Sequence, residues 1–273
     1  MKEIRKKLED RRGGISLAVV GAAGTGKSTL LGSIGEIYSP EEVLLLCPKP
    51  RELNSWLYAE FGFDKTAEPF ADPKWRPSLE MFEADGFLKL ERRLLELYDD
   101  STYKVVILDP YTDVVKLAAH DLLKADRAAT PRDSADSRGF YGSLKHKLGN
   151  FTATLVGLAS PALACPKHVL VAVHAQPAKD DEKAGGVGVS FEGEVMPMIE
   201  GGHRHDFASE FDICVYTRIK HEAKVVKGKL QKEVQYMIQV GADAKRHAKI
   251  ALTKRLEVNE VENNLPKLLK LLL

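Results

Sequence analysis

The chain has 273 residues, 44% of them hydrophobic and 29% charged, and 40 Lys or Arg against 39 Asp or Glu leave a formal net charge of +1. That composition suits one large α/β domain or two small ones with a sizeable core. It excludes a molecule that attracts nucleic acid by its overall charge, and no apolar run approaches the ~20 residues needed to cross a bilayer. No apolar signal region follows Met1-Lys2-Glu3-Ile4-Arg5-Lys6-Lys7, so a cytoplasmic protein without a membrane partner is expected. Cys47, Cys165 and Cys214 are isolated and form no CxxC pair, which fits reduced thiols.

In chain order, residues 1–12 read as a short polar helix ended by Gly13-Gly14. Ile15-Ser16-Leu17-Ala18-Val19-Val20 is an apolar strand that stops at Gly21, and Ser28 to Ile37 has helical spacing with Leu30, Leu31 and Ile34 on one face. Val43 to Leu46 is a second strand, halted by Pro48 and Pro50. Residues 51–100 are expected to be mostly helical, with Leu88, Leu90, Leu94, Leu95 and Leu97 as the apolar stripe of one clear helix. Tyr103 to Asp109 is a third strand, 111–123 a helix, 124–142 a polar loop, and Phe151–Ala159 helical again. His168 to His174 is a fourth strand. Continuous apolar strands alternating with helices predict a mainly parallel sheet covered on both faces.

The tail changes character. Phe211–Arg218, Gln235–Val240 and Ile250–Leu256 read as strands, with a hairpin turn at Lys227-Gly228-Lys229. Residues 218–255 hold eleven Lys or Arg against Glu222, Glu233 and Asp243, so the segment carries +8 and the remainder −7. Such a run is either a solvated face or a contact for an anionic partner or a neighbouring subunit. The Leu-rich end, Leu265 to Leu273, is either an intramolecular cap or a docking helix for another subunit. The expected division is a polar helix at 1–12, the catalytic domain at 13–256 and a tail at 257–273.

Gly21-Ala22-Ala23-Gly24-Thr25-Gly26-Lys27-Ser28 matches GxxxxGK[ST] at every fixed position. Glycines let the backbone curl so that its N–H groups point at phosphate oxygens. Lys27 is placed to reach the β- and γ-phosphates, and the Ser28 hydroxyl to ligate Mg²⁺, with Thr29 completing the phosphate-binding stretch. A strand enters the loop and an amphipathic helix leaves it, the setting such a loop requires. Val105-Val106-Ile107-Leu108-Asp109 has the form of a strand whose terminal carboxylate holds the Mg²⁺ shell across from Ser28. Position 110 is Pro, so the adjacent-carboxylate pattern of AAA+ proteins and helicases is absent, and the base that activates water must come from elsewhere.

With these motifs the chain resembles the RecA-like ATPases, especially the compact phage-type RecA-fold NTPases linked to single-strand annealing and recombination. The resemblance covers most of residues 13–256 and also uses the strand ending His174-Ala175-Gln176 and the strand start at Glu210-Phe211-Asp212. It implies a RecA-like P-loop NTPase core with a mainly parallel sheet and a β-rich C-terminal portion. It also implies ATP and Mg²⁺ as ligands, a homo-oligomer, and a role on single-stranded DNA in the cytoplasm of a bacterium or phage-infected host. The carboxylate after the second strand that serves as catalytic base in that family would be Glu52, although Cys47-Pro48-Lys49-Pro50 stands where an acidic residue is usual, and Asp113 is the substitute. His174 or Gln176 would sense the γ-phosphate. Pro177 to Gly202 stands where such proteins carry a DNA-contacting loop, and Lys254 or Arg255 would act on a neighbouring subunit's nucleotide. His203-Arg204-His205-Asp206 lacks the spacing of a zinc site. Two rival readings are a P-loop kinase, whose lid would be the loop bearing Arg127, Arg132 and Arg138, and a nucleotide-gated assembly factor without a nucleic-acid role.

Overall fold

The computed structural model describes residues 1–48, 56, 77–82, 86–131, 133, 136–177, 195–199, 203–226, 229–240, 249–250 and 258–273. Strands β1 (Ser16–Gly21), β2 (Val43–Cys47), β3 (Ser78–Met81) and β4 (Val105–Leu108) enter a sheet with β5 (His168–Pro177), β7 (Ile213–Val226), β8 (Lys229–Gln239) and β10 (Glu260–Glu262). Their order across it is β10-β8-β7-β1-β5-β4-β2-β3, while β6 (Val195–Pro197) pairs with β5 and β9 (Lys249–Ile250) with β7. From β7 to β3 along this order every pairing is parallel, and β8 and β10 add antiparallel pairs. This is the mainly parallel α/β core with a β-rich C-terminal portion that the sequence leads one to expect.

Alternation along the central strands sorts their side chains onto two faces. Ala18, Val20, Leu44 and Leu46 meet helices α3 (Gly86–Glu96), α4 (Tyr111–Asp126) and α5 (Ser137–Gly157). Leu17, Val19, Val43 and Leu45 meet α1 (Lys2–Glu9), α2 (Lys27–Gly32) and, after the short α6 (His203–Asp206), the C-terminal α7 (Leu265–Leu272). Both faces are covered, so β1, β2 and β4 are buried at every residue. The Leu-rich end is an intramolecular cap. Leu265, Leu268, Leu269 and Leu272 are buried against the same core as Ile4 and Leu8, each stabilising the fold by about 2 kcal/mol of apolar transfer before ordering entropy. Asn264 starts that helix by accepting the Lys267 N–H at 2.9 Å.

Four expectations need correction. The stretch 51–100, expected to be mostly helical, contains β3, a short edge strand whose alternating half-exposed side chains carry no core pattern. It is held by parallel pairing with β2, a tertiary influence that local periodicity does not encode. In α3 the buried line is Phe87, Leu90 and Leu94, continued by Leu97 just beyond it, at the 3-4-3 spacing of one helix face. Leu88 and Leu95 are 58% and 61% exposed. The polar loop expected over 124–142 is shorter, because α4 runs to Asp126 and α5 starts at Ser137. Asp136 caps α5 by accepting the Gly139 N–H at 2.8 Å. The C-terminal hairpin is also longer than the apolar runs suggested, with Val226 opposite Lys229 and Tyr216 opposite Gln239. Of the strand expected at 250–256, β9 covers its first residue and 251–257 lie outside the described residues. None of the described helices is long and apolar enough to cross a membrane.

Candidate nucleotide site

β1 delivers the P-loop to the centre of the sheet's carboxyl edge, where Gly21 lies opposite His174 of β5. Gly24 and Gly26 take φ of +74° and +85°, a region that a side chain with a Cβ enters only with strain. A Cβ at Gly26 would also stand 2.6 Å from Asn263 Nδ2, so that side chain would have to move. The loop is braced from both sides. Thr25 Oγ1 donates to the Ala22 carbonyl at 2.8 Å and lies 2.7 Å from Thr217 Oγ1 of β7. Asn263 Nδ2 donates to the Gly26 carbonyl at 3.0 Å. Lys27, 6% exposed, donates to the Gly21 and Ala22 carbonyls at 2.9 and 2.8 Å. Its ammonium thus rests on carbonyls of its own loop.

Asp109 follows β4 and is buried. Its Oδ2 accepts from Ser28 Oγ at 2.7 Å and from Trp56 Nε1 at 2.8 Å. Burial pushes the Asp109 carboxyl upward from the ordinary range, while the Ser28 and Trp56 hydrogen bonds and the charges of Lys27 and His174 pull it back down. A hydroxyl and a carboxylate oxygen in contact at the mouth of a phosphate-binding loop are hard oxygen donors of the kind Mg²⁺ prefers, so the residues present fit that ion.

The P-loop, Asp109 and His174 line a cavity of about 1020 Å³, and its other wall is made by residues 234–237 of β8 with Glu262 at the end of β10 and Asn263 after it. Lys27, Ser28, Thr29, Asp109 and His174 all line this one cavity. Gln176 lies two residues beyond His174 on β5, where it pairs with Met196 of β6, and is not among the residues that line the cavity. Asp113 does not line it either; it is buried on the first turn of α4 and paired with Lys116 at 2.7 Å. Glu52, Lys254 and Arg255 lie outside the described residues, as does most of the stretch 177–202. His203 is buried, with Nε2 3.2 Å from Tyr111 Oη and 3.1 Å from Thr152 Oγ1.

Three participants carry no sequence signal of their own. Trp56 belongs to no motif read in the sequence, and Thr217 and Asn263 are polar residues whose partners are 192 and 237 positions away. Only the fold brings them to the loop. A family model described as an AAA domain matches residues 13–252, which is most of the chain. The chain belongs to the AAA domain family. This AAA domain carries Pro, not Glu, directly after the carboxylate of its Asp109 strand. No curated protein matches it. Among solved structures it is similar to the assembled ATPase EscN from the type III secretion system of enteropathogenic E. coli, at 16% identity over 74% of this chain and 42% of that one, with a TM-score of 0.38. The chain thus spans less than half the length of EscN.

Proposed function

We propose that this AAA domain is a Mg²⁺-dependent, RecA-like ATPase that converts ATP to ADP and phosphate as a homo-oligomer and works on DNA in phage-type recombination or replication. The observation that carries the reading is the contact of Ser28 Oγ with Asp109 Oδ2 at 2.7 Å beside the P-loop cradle. Mg²⁺ bound there would supply charge for the developing transition state. Ser28 and Asp109 would hold it, and the Lys27 ammonium would leave the Gly21 and Ala22 carbonyls for the phosphate oxygens. His174 of β5, paired with Gly21 and lining the cavity, would respond to the terminal phosphate. Its backbone N–H is held by Thr112 Oγ1 at 3.0 Å, a link to the helix that follows Asp109. Glu52 supplies the base for water, by resemblance to the family.

The DNA part of the reading is supported by the +8 segment, 218–255, which covers the hairpin of β7 and β8. Phosphate contacts made there would weaken steeply with salt. Lys254 and Arg255 belong to the same segment and are the residues proposed to reach a neighbour's nucleotide. Phosphate release, measured alone and with single- or double-stranded DNA, tests the whole. Wild-type protein should release phosphate without any acceptor, faster with single-stranded DNA, and with a rate per subunit that rises with protein concentration. Lys27→Ala should lose about 10²–10³-fold, the scale of removing one positioned donor from a transition state. Equal rates in parent and variant would refute the ATPase reading. A rate indifferent to DNA and to concentration would leave an ATPase without the partner and assembly assigned to it.

A further inference from the structure

The phosphate cradle accounts for only one wall of the cavity. A triphosphate occupies a fraction of about 1020 Å³, a volume at the upper end of pockets that enclose whole small ligands. The other wall is made by β8. Along that strand Ile238, Tyr236 and Val234 share one face, and exposure changes abruptly along it. Ile238 is fully buried beneath the helices, whereas Tyr236 and Val234 are 45% and 47% exposed where the strand reaches the cavity. Ile219 of β7, directly opposite Tyr236, is exposed as well. An apolar stripe that leaves the core and emerges beside a phosphate loop is surface that a flat ligand would take out of water.

Its position relative to the phosphates is set by two contacts. The Tyr236 ring lies against the P-loop, with Cδ1 3.2 Å from where a Cβ on Gly26 would be. Asn263 clamps the two walls together. Its backbone N–H donates to the Tyr236 carbonyl at 3.1 Å and its side-chain amide to the Gly26 carbonyl at 3.0 Å. A nucleotide whose phosphates lie on residues 24–28 therefore meets Tyr236 within the same cavity.

We propose that Tyr236, with Val234 beside it, forms the nucleobase subsite, stacking the flat aromatic base of a nucleoside triphosphate and making the site selective for a nucleotide over inorganic triphosphate. The inference rests on the reading of residues 21–28 as the phosphate site. A stacked base exchanges hydrated aromatic area for contact, an interaction that tolerates different bases because each presents a π-face.

Calorimetric titration of the whole chain with magnesium ATP and with magnesium tripolyphosphate separates the two ideas. Wild-type protein should bind both, ATP more tightly. Tyr236→Ala should lose roughly tenfold in ATP affinity, within the range measured for base–aromatic stacking, and nothing in tripolyphosphate affinity. Tyr236→Phe should keep the parent's affinity for ATP. Unaltered protein irradiated with 2-azido-ATP should carry label on residues 234–237. If Tyr236→Ala binds ATP as tightly as the parent, or loses both ligands equally, or if the label maps wholly elsewhere, the subsite is wrong while the phosphate site stands. If wild-type protein binds neither ligand, the phosphate site fails and the subsite falls with it.

Discussion

The two ends of the parallel strands treat buried polar groups in opposite ways. At the amino end, His168 is sealed and complete. Its Nδ1 accepts the Ile15 N–H at 3.1 Å, so the ring proton sits on Nε2 and faces the Tyr38 hydroxyl at 3.0 Å. At the carboxyl end, Lys27, Ser28 and Asp109 are also buried or half-buried, but their partners are replaceable. Lys27 holds carbonyls of its own loop, and Ser28 holds the carboxylate with which it would share a metal. One end uses its polar groups to close the fold, and the other keeps them ready to be rebonded. In an open α/β sheet, ligands bind at the carboxyl ends of the strands; here the contrast in hydrogen bonding shows the same polarity.

Acid should expose the closed end first. Burial, with a smaller contribution from the Arg11 charge, lowers the His168 pKa to about 4. The unfolded chain, with an ordinary histidine near 6.5, binds the extra proton first, so stability is complete above that value and declines as pH falls toward 4. The decline is ~3 kcal/mol, from about 2.5 pH units at 1.36 kcal/mol each. Urea midpoints measured between pH 7 and 4 should fall accordingly in the parent and much less in His168→Gln. If both proteins lose stability in parallel, His168 is not the group that acid attacks.

The same contrast explains what could be read in the chain before its structure. β1, β2, β4 and β5 were legible because strands buried on both faces are uniformly apolar, and Gly24, Gly26, Lys27, Ser28 and Asp109 because the phosphate chemistry fixes residue types at fixed spacing. β7 and β8 were legible only in part. Their outer halves carry Lys, Glu and Gln in place of an apolar alternation, and pairing with each other holds them. Trp56, Thr217, Tyr236 and Asn263 act through contacts made across long stretches of chain. No local pattern announces such a contact, and the second wall of the cavity was accordingly invisible. Glu52 was suggested by resemblance, and its position lies outside the described residues.

Trp56 offers the next test of the rebonding idea. If Ser28 and Asp109 were to hold a metal, the Trp56 N–H would remain to orient Asp109, as outer partners of metal-holding carboxylates do. Trp56→Phe keeps an aromatic ring at this buried position while removing the N–H together with part of the indole's bulk. Half-saturation by Mg²⁺ should rise about tenfold, the lower end of losses seen when such partners are removed, with turnover at saturating Mg²⁺ close to the parent's. An unchanged Mg²⁺ requirement would make Trp56 a packing residue that touches Asp109 incidentally.

The smallest effect is expected at Asn263, and it discriminates most finely between the two uses of a buried polar group. Its Nδ2 bonds Gly26, but its Oδ1 is buried without a hydrogen-bond partner among the described residues. An unsatisfied buried oxygen costs about 1–3 kcal/mol, whereas the hydrogen bond on the other atom contributes about 1 kcal/mol. The Gly26 carbonyl also keeps the Leu30 N–H at 2.9 Å. Removing the side chain therefore relieves roughly as much as it loses, and Asn263→Ala should melt within a few degrees of the parent. Its value lies in holding the β8 wall against the P-loop, so ATP affinity should fall about threefold, since a shift of well under 1 kcal/mol is all that one neutral clamp is asked to supply. Tripolyphosphate, which touches only the loop, should bind as before. A variant that melts several degrees lower and binds both ligands normally would place Asn263 with His168, as part of what closes the fold and not of what waits for a ligand.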